Sequence, residues 1–280
     1  MVIVGCSAKA NPVKQETKTN DTGSGDRIIA TTVAVAEIMD ALEIDLVGIP
    51  TSYKDLPQRY EGLTEIGNPM DPDMEIILSL KPTEVMSVST LKSDLNDVFS
   101  EREINASYVN LQTLENMQNE ILAIGERYDR QELAETIIKR FDEKAIEIEK
   151  KTAGKEAPTV LILMGVPGSY LVATENSYIG DLVQRAGGKN AISGEEVEFL
   201  ASNTEYLQKS NPDIILRAAH GMPEEVVEMF DKEFKENDIW KHFNAVKNDR
   251  VYDLEELLFG TTGNLAATEA LDELVKMLYP

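Results

Sequence analysis

The chain has 280 residues, enough for one large domain or two lobes of ordinary size. Hydrophobic residues make up 42%, enough for a packed core, so a disordered chain is excluded. Lysine and arginine number 27 against 50 aspartates and glutamates, a formal net charge of −23, which excludes nucleic acid as a partner because its phosphates would be repelled.

The N-terminal stretch "MVIVGCSAKANPVKQETKTNDTGSGD" holds the only cysteine, Cys6, so no internal disulfide can form. Its apolar stub, small residue, cysteine and polar tract resemble the end of a bacterial lipoprotein signal, in which the cysteine is lipidated. The stub is shorter than the apolar core of a working signal. Residues 1–26 are therefore expected to be a signal remnant and a flexible tether.

Ordered structure is expected from Arg27. "RIIA" reads as a strand, and Thr31 or Thr32 can cap a helix whose apolar side carries Val33, Ile38, Met39 and Leu42. "LVGIP" is a second strand, "TSYKDLPQRY" a loop, "EIGNPMDPD" a loop leading into a helix, and "TEVMSVST" a strand. Strands alternating with helices give an α/β class with mostly parallel sheets. From Leu114 to Lys151 apolar residues recur at helical spacing, with Gly125 and "ERYDRQE" as a place for a break. A fresh strand, "TVLILMG", follows, and the α/β pattern resumes. The expected architecture is two pseudo-symmetric α/β lobes, residues 27–118 and 154–280. One long inter-lobe helix, 119–153, joins them, with a ligand cleft between the lobes.

"MEIILSLKPTEVMSV" and "TEYLQKSNPDIILRA" align without gaps: Glu75 precedes Pro82 at the separation at which Glu205 precedes Pro212. In both, a short helix ends before a proline, which disfavours helix in the residue ahead of it, and a β-rich strand follows. As a repeat it places the two glutamates at equivalent exposed positions. Coincidence between two common helix-to-strand joints remains an alternative.

No nucleophile elbow, phosphate-binding glycine loop, H-E-x-x-H helix or cysteine pair is present. With carboxylates this abundant, a pair of them carries no information. A bare zinc or manganese ion wants several histidine or carboxylate ligands, yet the histidines are only His220 and His242. His242, among charges beside Trp240 and Phe243, reads as a surface or packing residue. Haem asks for less, since the porphyrin supplies four nitrogens and one histidine with one methionine completes the octahedron. His220 sits where the strand "NPDIIL" runs out into a turn. Met70 lies between Pro69 and Pro72, which stiffen its loop. The plain alternatives are a capping or surface histidine and a methionine tucked into the core. The two residues fall in opposite halves of the chain, at strand-end loops, where ligands of α/β proteins bind.

These residues carry a resemblance. Stretches that span about residues 28 to 260, among them "VGIPTSYKDLP", "EIGNPM", "LILMGVPGSYLVAT", "HGMPEEV" and "NDIWKHF", resemble the IsdE-type haem-binding lipoproteins of Gram-positive haem importers. Those belong to the helical-backbone class of ABC-transporter solute-binding proteins. The resemblance implies that haem b lies between the lobes as transported ligand, with Met70 and His220 as axial ligands. It implies that the propionates lie against Val33, Ala34, Ser52, Tyr53 and Lys54, and that Tyr170 covers the porphyrin face. Free N–H groups at a helix start and the lysine charge suit such carboxylates. Glu75 and Glu205 would dock on an ABC permease, one per lobe.

The resemblance further implies no catalysis, a monomer, an upstream surface haem donor, and an extracytoplasmic position held to the membrane only through a lipid on Cys6. "RAAHGM" and "LLFGTTGN" depart from the family pattern without touching a proposed ligand. A solute-binding protein for an iron–siderophore or a corrin is the alternative ligand class.

Overall fold

The computed structural model describes residues 25–203, Leu207 and residues 210–280. The chain enters as strand β1 (Ile28–Ala30), turns through Thr31 and Thr32, and forms helix α1 (Val33–Ala41). Thr32 is the cap: its hydroxyl accepts the Val35 N–H at 3.3 Å. Strands β2 (Gly48–Ile49) and β3 (Thr64–Glu65) follow, then a small hairpin, β4 (Gly67–Asn68) with β5 (Asp71–Pro72). Helix α2 (Met74–Ser79), strand β6 (Glu84–Val88), helix α3 (Lys92–Ser100) and strand β7 (Ala106–Val109) complete the first lobe.

The first sheet has the order β3-β2-β1-β6-β7 and all its pairings are parallel. β1 and β6 are buried along their whole length, the pattern of strands covered on both faces. Met86 and Val88 face the core that contains Val35, Ile38 and Met39 of α1. Ile29 and Val85 face Ile77 of α2 and Leu95 and Phe99 of α3. Each such fully buried side chain is worth about 1.5–3 kcal/mol.

The connecting segment corrects one expectation. Residues 119–153 are not one helix: α4 (Leu114–Arg127) and α5 (Gln131–Thr152) are separate. Asp129 adopts the left-handed conformation at φ 56°, and the Arg130 N–H returns to the Gly125 carbonyl at 2.7 Å, a Schellman-type stop. Gly125 permits the fold-back, since a Cβ there would stand 2.6 Å from the Cβ of Ala134. α5 alone, about 33 Å long by the 1.5 Å rise per residue, reaches the second lobe, where Lys144 and Lys151 bind Asp272 at 2.6 and 3.3 Å.

That lobe contains β8 (Thr159–Val166), β9 (Ser169–Ala173), α6 (Tyr178–Arg185), β10 (Lys189–Asn190), β11 (Phe199–Ala201), β12 (Ile214–Ala219), α7 (Pro223–Glu236), α8 (Asn244–Lys247), β13 (Val251–Leu254) and α9 (Ala267–Leu278). Its sheet runs β11-β9-β8-β12-β13, with β10 also on β8. β8, β12 and β13 are parallel, whereas β9 is antiparallel to both β8 and β11. The parallel trio β8-β12-β13 repeats β1-β6-β7, and β6 and β12, the strands that follow the two glutamate segments, hold the same place in their sheets. The outer halves differ: parallel in the first lobe, antiparallel in the second. Among the described residues, no helix is long and apolar enough to cross a membrane.

Candidate functional site

Both sheets present loops at the C-terminal ends of their parallel strands, where ligands of open α/β sheets bind. In the first lobe, α1 starts directly beyond β1. Its first N–H groups have no acceptor within the helix, and Thr32 takes only that of Val35. The backbone donors of Val33 and Ala34 therefore sit at this edge, and both residues are half-buried. The loop after β2 carries Thr51 to Lys54. It is turned by the Ser52 hydroxyl, which accepts the Lys54 N–H at 2.9 Å.

Met70 lies at the tip of the β4–β5 hairpin, whose strands pair Asn68 with Asp71 and Gly67 with Pro72. Its N–H is held by the Asn68 side chain at 2.8 Å, and Gly67 supplies the left-handed φ of 94° that the bend needs. The side chain is 66% exposed, so the core-tucked alternative for this methionine does not apply. The hairpin is fastened to the neighbouring loop, because the Thr51 N–H donates to the Gly67 carbonyl at 2.9 Å.

In the second lobe β12 ends at Ala219, and the exposed His220 is fixed by its N–H donating to the Gly165 carbonyl at 2.9 Å. Gly221 and Met222 are both left-handed, at φ 70° and 48°, and Pro223 opens α7, a favoured first helical residue. This tight turn thrusts His220 and the 53%-exposed Met222 out of the lobe together.

Glu256, in the segment after β13, joins the two edges. It is buried, and its Oε1 accepts the Gly221 N–H at 3.1 Å, accepts the Tyr53 hydroxyl proton, and lies 3.6 Å from the Lys54 Nζ. A continuous line of contacts thus runs from the Met70 hairpin through Thr51, Tyr53 and Lys54 to Glu256, Gly221 and His220. The Tyr53 hydroxyl titrates well above an ordinary tyrosine, because desolvation and then the Glu256 hydrogen bond and charge disfavour a phenolate. Its ring nonetheless stays exposed, as does Leu257 beside Glu256. Tyr53, Met70, Met222 and Leu257 are thus four large apolar or aromatic side chains left accessible on loops of this one region. Glu37, half-buried on α1, has its pKa raised by desolvation, partly offset by the charge of Lys54.

Tyr170 does not join this group. Its ring packs against Phe230 and Trp240 at centroid distances of 5.7 and 6.3 Å, within the core that backs α7. Its hydroxyl reaches Glu233 at 3.4 Å, and burial, then Glu233, push its pKa up to about 12. Phe230, about two turns into α7, and Trp240, beyond the end of that helix, claim the ring for the core. His242 is exposed on the far segment, as expected. Glu75 is exposed near the start of α2, its N–H capped by Asp73 at 2.9 Å. Glu205 and Cys6 lie outside the described residues.

Sequence reasoning missed Glu256, Met222 and Leu257. Met222 was legible as an apolar residue beside His220. Glu256 is one acid among many, and only its burial and three donors distinguish it. Among the described residues, no group of three or more His, Cys, Asp or Glu side chains is placed to hold a bare metal ion.

The periplasmic binding protein family matches residues 28–257. The high-affinity heme uptake system protein IsdE of Staphylococcus aureus (strain Newman) is 47% identical over 279 residues, 99% of this chain and 94% of that protein. The crystal structure of S. aureus IsdE complexed with heme superimposes with a TM-score of 0.88 at 49% identity, covering 91% of this chain and 99% of that one. An ABC transporter substrate-binding protein from Listeria monocytogenes EGD-e gives 0.86 at 57% identity, covering 91% and 98%. The chain belongs to the periplasmic binding protein family and is a relative of IsdE.

Proposed function

We propose that this protein binds one haem between its lobes, with the Met70 thioether and the His220 imidazole as axial ligands, and passes it to an ABC permease. The observation that carries the reading is the line of contacts from the Met70 hairpin to His220. Two exposed side chains of the types that complete a haem iron's coordination lie at its two ends. Apolar surface at Tyr53, Met222 and Leu257 suits the faces and edge of a macrocycle, and apolar pockets with a few polar groups are the general form of small-molecule sites. Lys54, the Tyr53 hydroxyl, Ser52 and the α1 start supply cationic and N–H or O–H donors for two propionates. The relation to IsdE, a heme uptake protein whose heme complex has this fold, supports the ligand.

Glu75 on the first lobe and Glu205 on the second serve as permease contacts, and a lipid on Cys6 holds the protein at the outer face of the membrane. A surface haem-donor protein supplies the ligand. The test is an absorption titration with haemin, wild type beside His220→Ala. A saturable Soret shift at one equivalent, altered in the variant, is expected. No shift in either protein would move the ligand to an iron–siderophore or a corrin.

A further inference from the structure

The groups proposed to receive a propionate already bind a carboxylate of the protein itself. Glu256 reaches from the second lobe to the Tyr53 hydroxyl and sits 3.6 Å from the Lys54 ammonium of the first. The contact is not an exposed ion pair of little consequence: the Glu256 side chain is 7% exposed and that of Lys54 25%. A carboxylate this buried needs its donors, and it takes all three on one oxygen. Lys54 is the cation among the site's first-lobe residues, with Glu37 as a second carboxylate in its field. Any anionic group brought by a ligand to Lys54 therefore meets a resident competitor.

We infer that Glu256 is an internal carboxylate that competes with a ligand's own carboxylate for Lys54 and Tyr53, and so sets how tightly the site holds a carboxylate-bearing ligand. A ligand bearing its own carboxylate replaces Glu256 like for like, so the ion pair is exchanged and not lost. A porphyrin without a free carboxylate makes no claim on Lys54 and leaves Glu256 in place, so it meets no such competition. The exchange also frees Glu256 from the first lobe, so the contact across the front of the molecule is remade when the ligand enters. The inference rests on the haem reading of the site.

The experiment compares haemin with haemin dimethyl ester, which has the same iron and ring and no free carboxylates, on wild type, Glu256→Gln, Lys54→Met and the double variant. Glutamine keeps the shape of the side chain and an oxygen for the Gly221 N–H while removing the charge, so the His220 turn is preserved. Glu256→Gln should tighten haemin binding about fivefold, the size of a partly screened ion pair, and leave the ester within about twofold. Lys54→Met should weaken haemin and spare the ester. In the double variant the gain from Glu256→Gln should vanish, because the competition is for Lys54; such a cycle isolates the pairwise coupling. The Soret and charge-transfer bands should match wild type throughout.

Weaker haemin binding in Glu256→Gln with altered bands would overturn the inference and make Glu256 a support for His220. An equal gain for haemin and ester, or a gain that survives without Lys54, would overturn it in favour of general repulsion. A wild type that binds haemin normally while Glu256→Gln changes nothing defeats the inference alone. No Soret change in wild type defeats the haem reading, and the inference with it. Should Glu256→Gln fold poorly, Lys54→Met against the two ligands decides the case: equal loss for both sinks the competition.

Discussion

The lobes meet at two places built by opposite rules. At the back they are fused. The Gly263 N–H donates to the Leu111 carbonyl at 2.7 Å, the Leu114 N–H donates to Asp181 at 2.8 Å, and Gln112 donates to Glu198 at 2.6 Å. Tyr178 is fully buried there, and one apolar core runs from α1 through α4 and α5 to α6 and α9. At the front, side chains from loops meet at Glu256, and large apolar groups stay exposed around it. A close-packed seam has no continuous range of deformation. The back therefore fixes how far the lobes can part, and the front is free to exchange partners. Stability and binding should separate along this line.

The largest expected effect is at the front. His220→Ala should weaken haemin binding at least about 100-fold, the upper end of what losing even an outer partner costs a metal site. Its effect on thermal stability should stay within about 0.5 kcal/mol, because the side chain is exposed. A large loss of stability in this variant would break the separation of front from back.

The mirror case is Asp181→Ala at the back. Asp181 is buried, and its Oδ2 accepts from the Leu114 amide and the Arg185 guanidinium at 2.8 and 2.9 Å. Removing it leaves a buried N–H at the start of α4 without its acceptor, at a cost of about 2 kcal/mol. Chemical denaturation should show the loss, while the bands of the haemin complex stay as in wild type. Changed bands would mean that the back seam also sets the ligand geometry.

The same division explains what the sequence makes legible. Alternating strands and helices, the capping threonine and the two α/β halves follow from periodicity and local chemistry, and the sheets confirm them in β1, β6, β8 and β12. The break between α4 and α5 depends on a left-handed Asp129 and a close approach at Gly125. Gly125 and "ERYDRQE" mark where a break has room, but neither the backbone turn nor the close approach shows in the helical spacing, which runs on through the segment. Met70 and His220 stand out because methionine between prolines and histidine in a histidine-poor chain are rare. Glu256 does not stand out, since its role comes from partners more than 30 residues away at Gly221 and more than 200 away at Tyr53. Tyr170 shows the reverse: a local motif marks it, and the packing of α7 takes its ring elsewhere.

Met70→Ala sharpens the comparison within the front itself. A thioether is a weaker ferric ligand than an imidazole, so the loss should be about tenfold, below that of His220. The hairpin should survive, because Asn68 binds the backbone N–H of residue 70 and not its side chain. Haemin titration of the two single variants at one salt concentration checks the order. Equal losses would mean that the two ligands act as one unit.

The smallest effect falls on Glu37, which lies on α1 between the core and the front. Burial raises its folded-state pKa above that of the unfolded chain, with Lys54 as a partial offset. A raised carboxyl pKa means that its contribution to stability is fully present below the unfolded value and is lost as pH rises through the folded one. Glu37→Gln imitates the protonated acid at every pH. It should therefore raise the melting temperature by about 1–2 °C at pH 8 and leave it unchanged at pH 3.5 to 4. Lys54→Met removes the offset, so in that background the gain at pH 8 should grow. If Glu37→Gln instead lowers the melting temperature at pH 8, Glu37 is stabilised as a carboxylate, and its pairing with Lys54 outweighs its burial. Lys54 would then be shared between two resident carboxylates, and releasing it from Glu256 alone would do less for an incoming propionate.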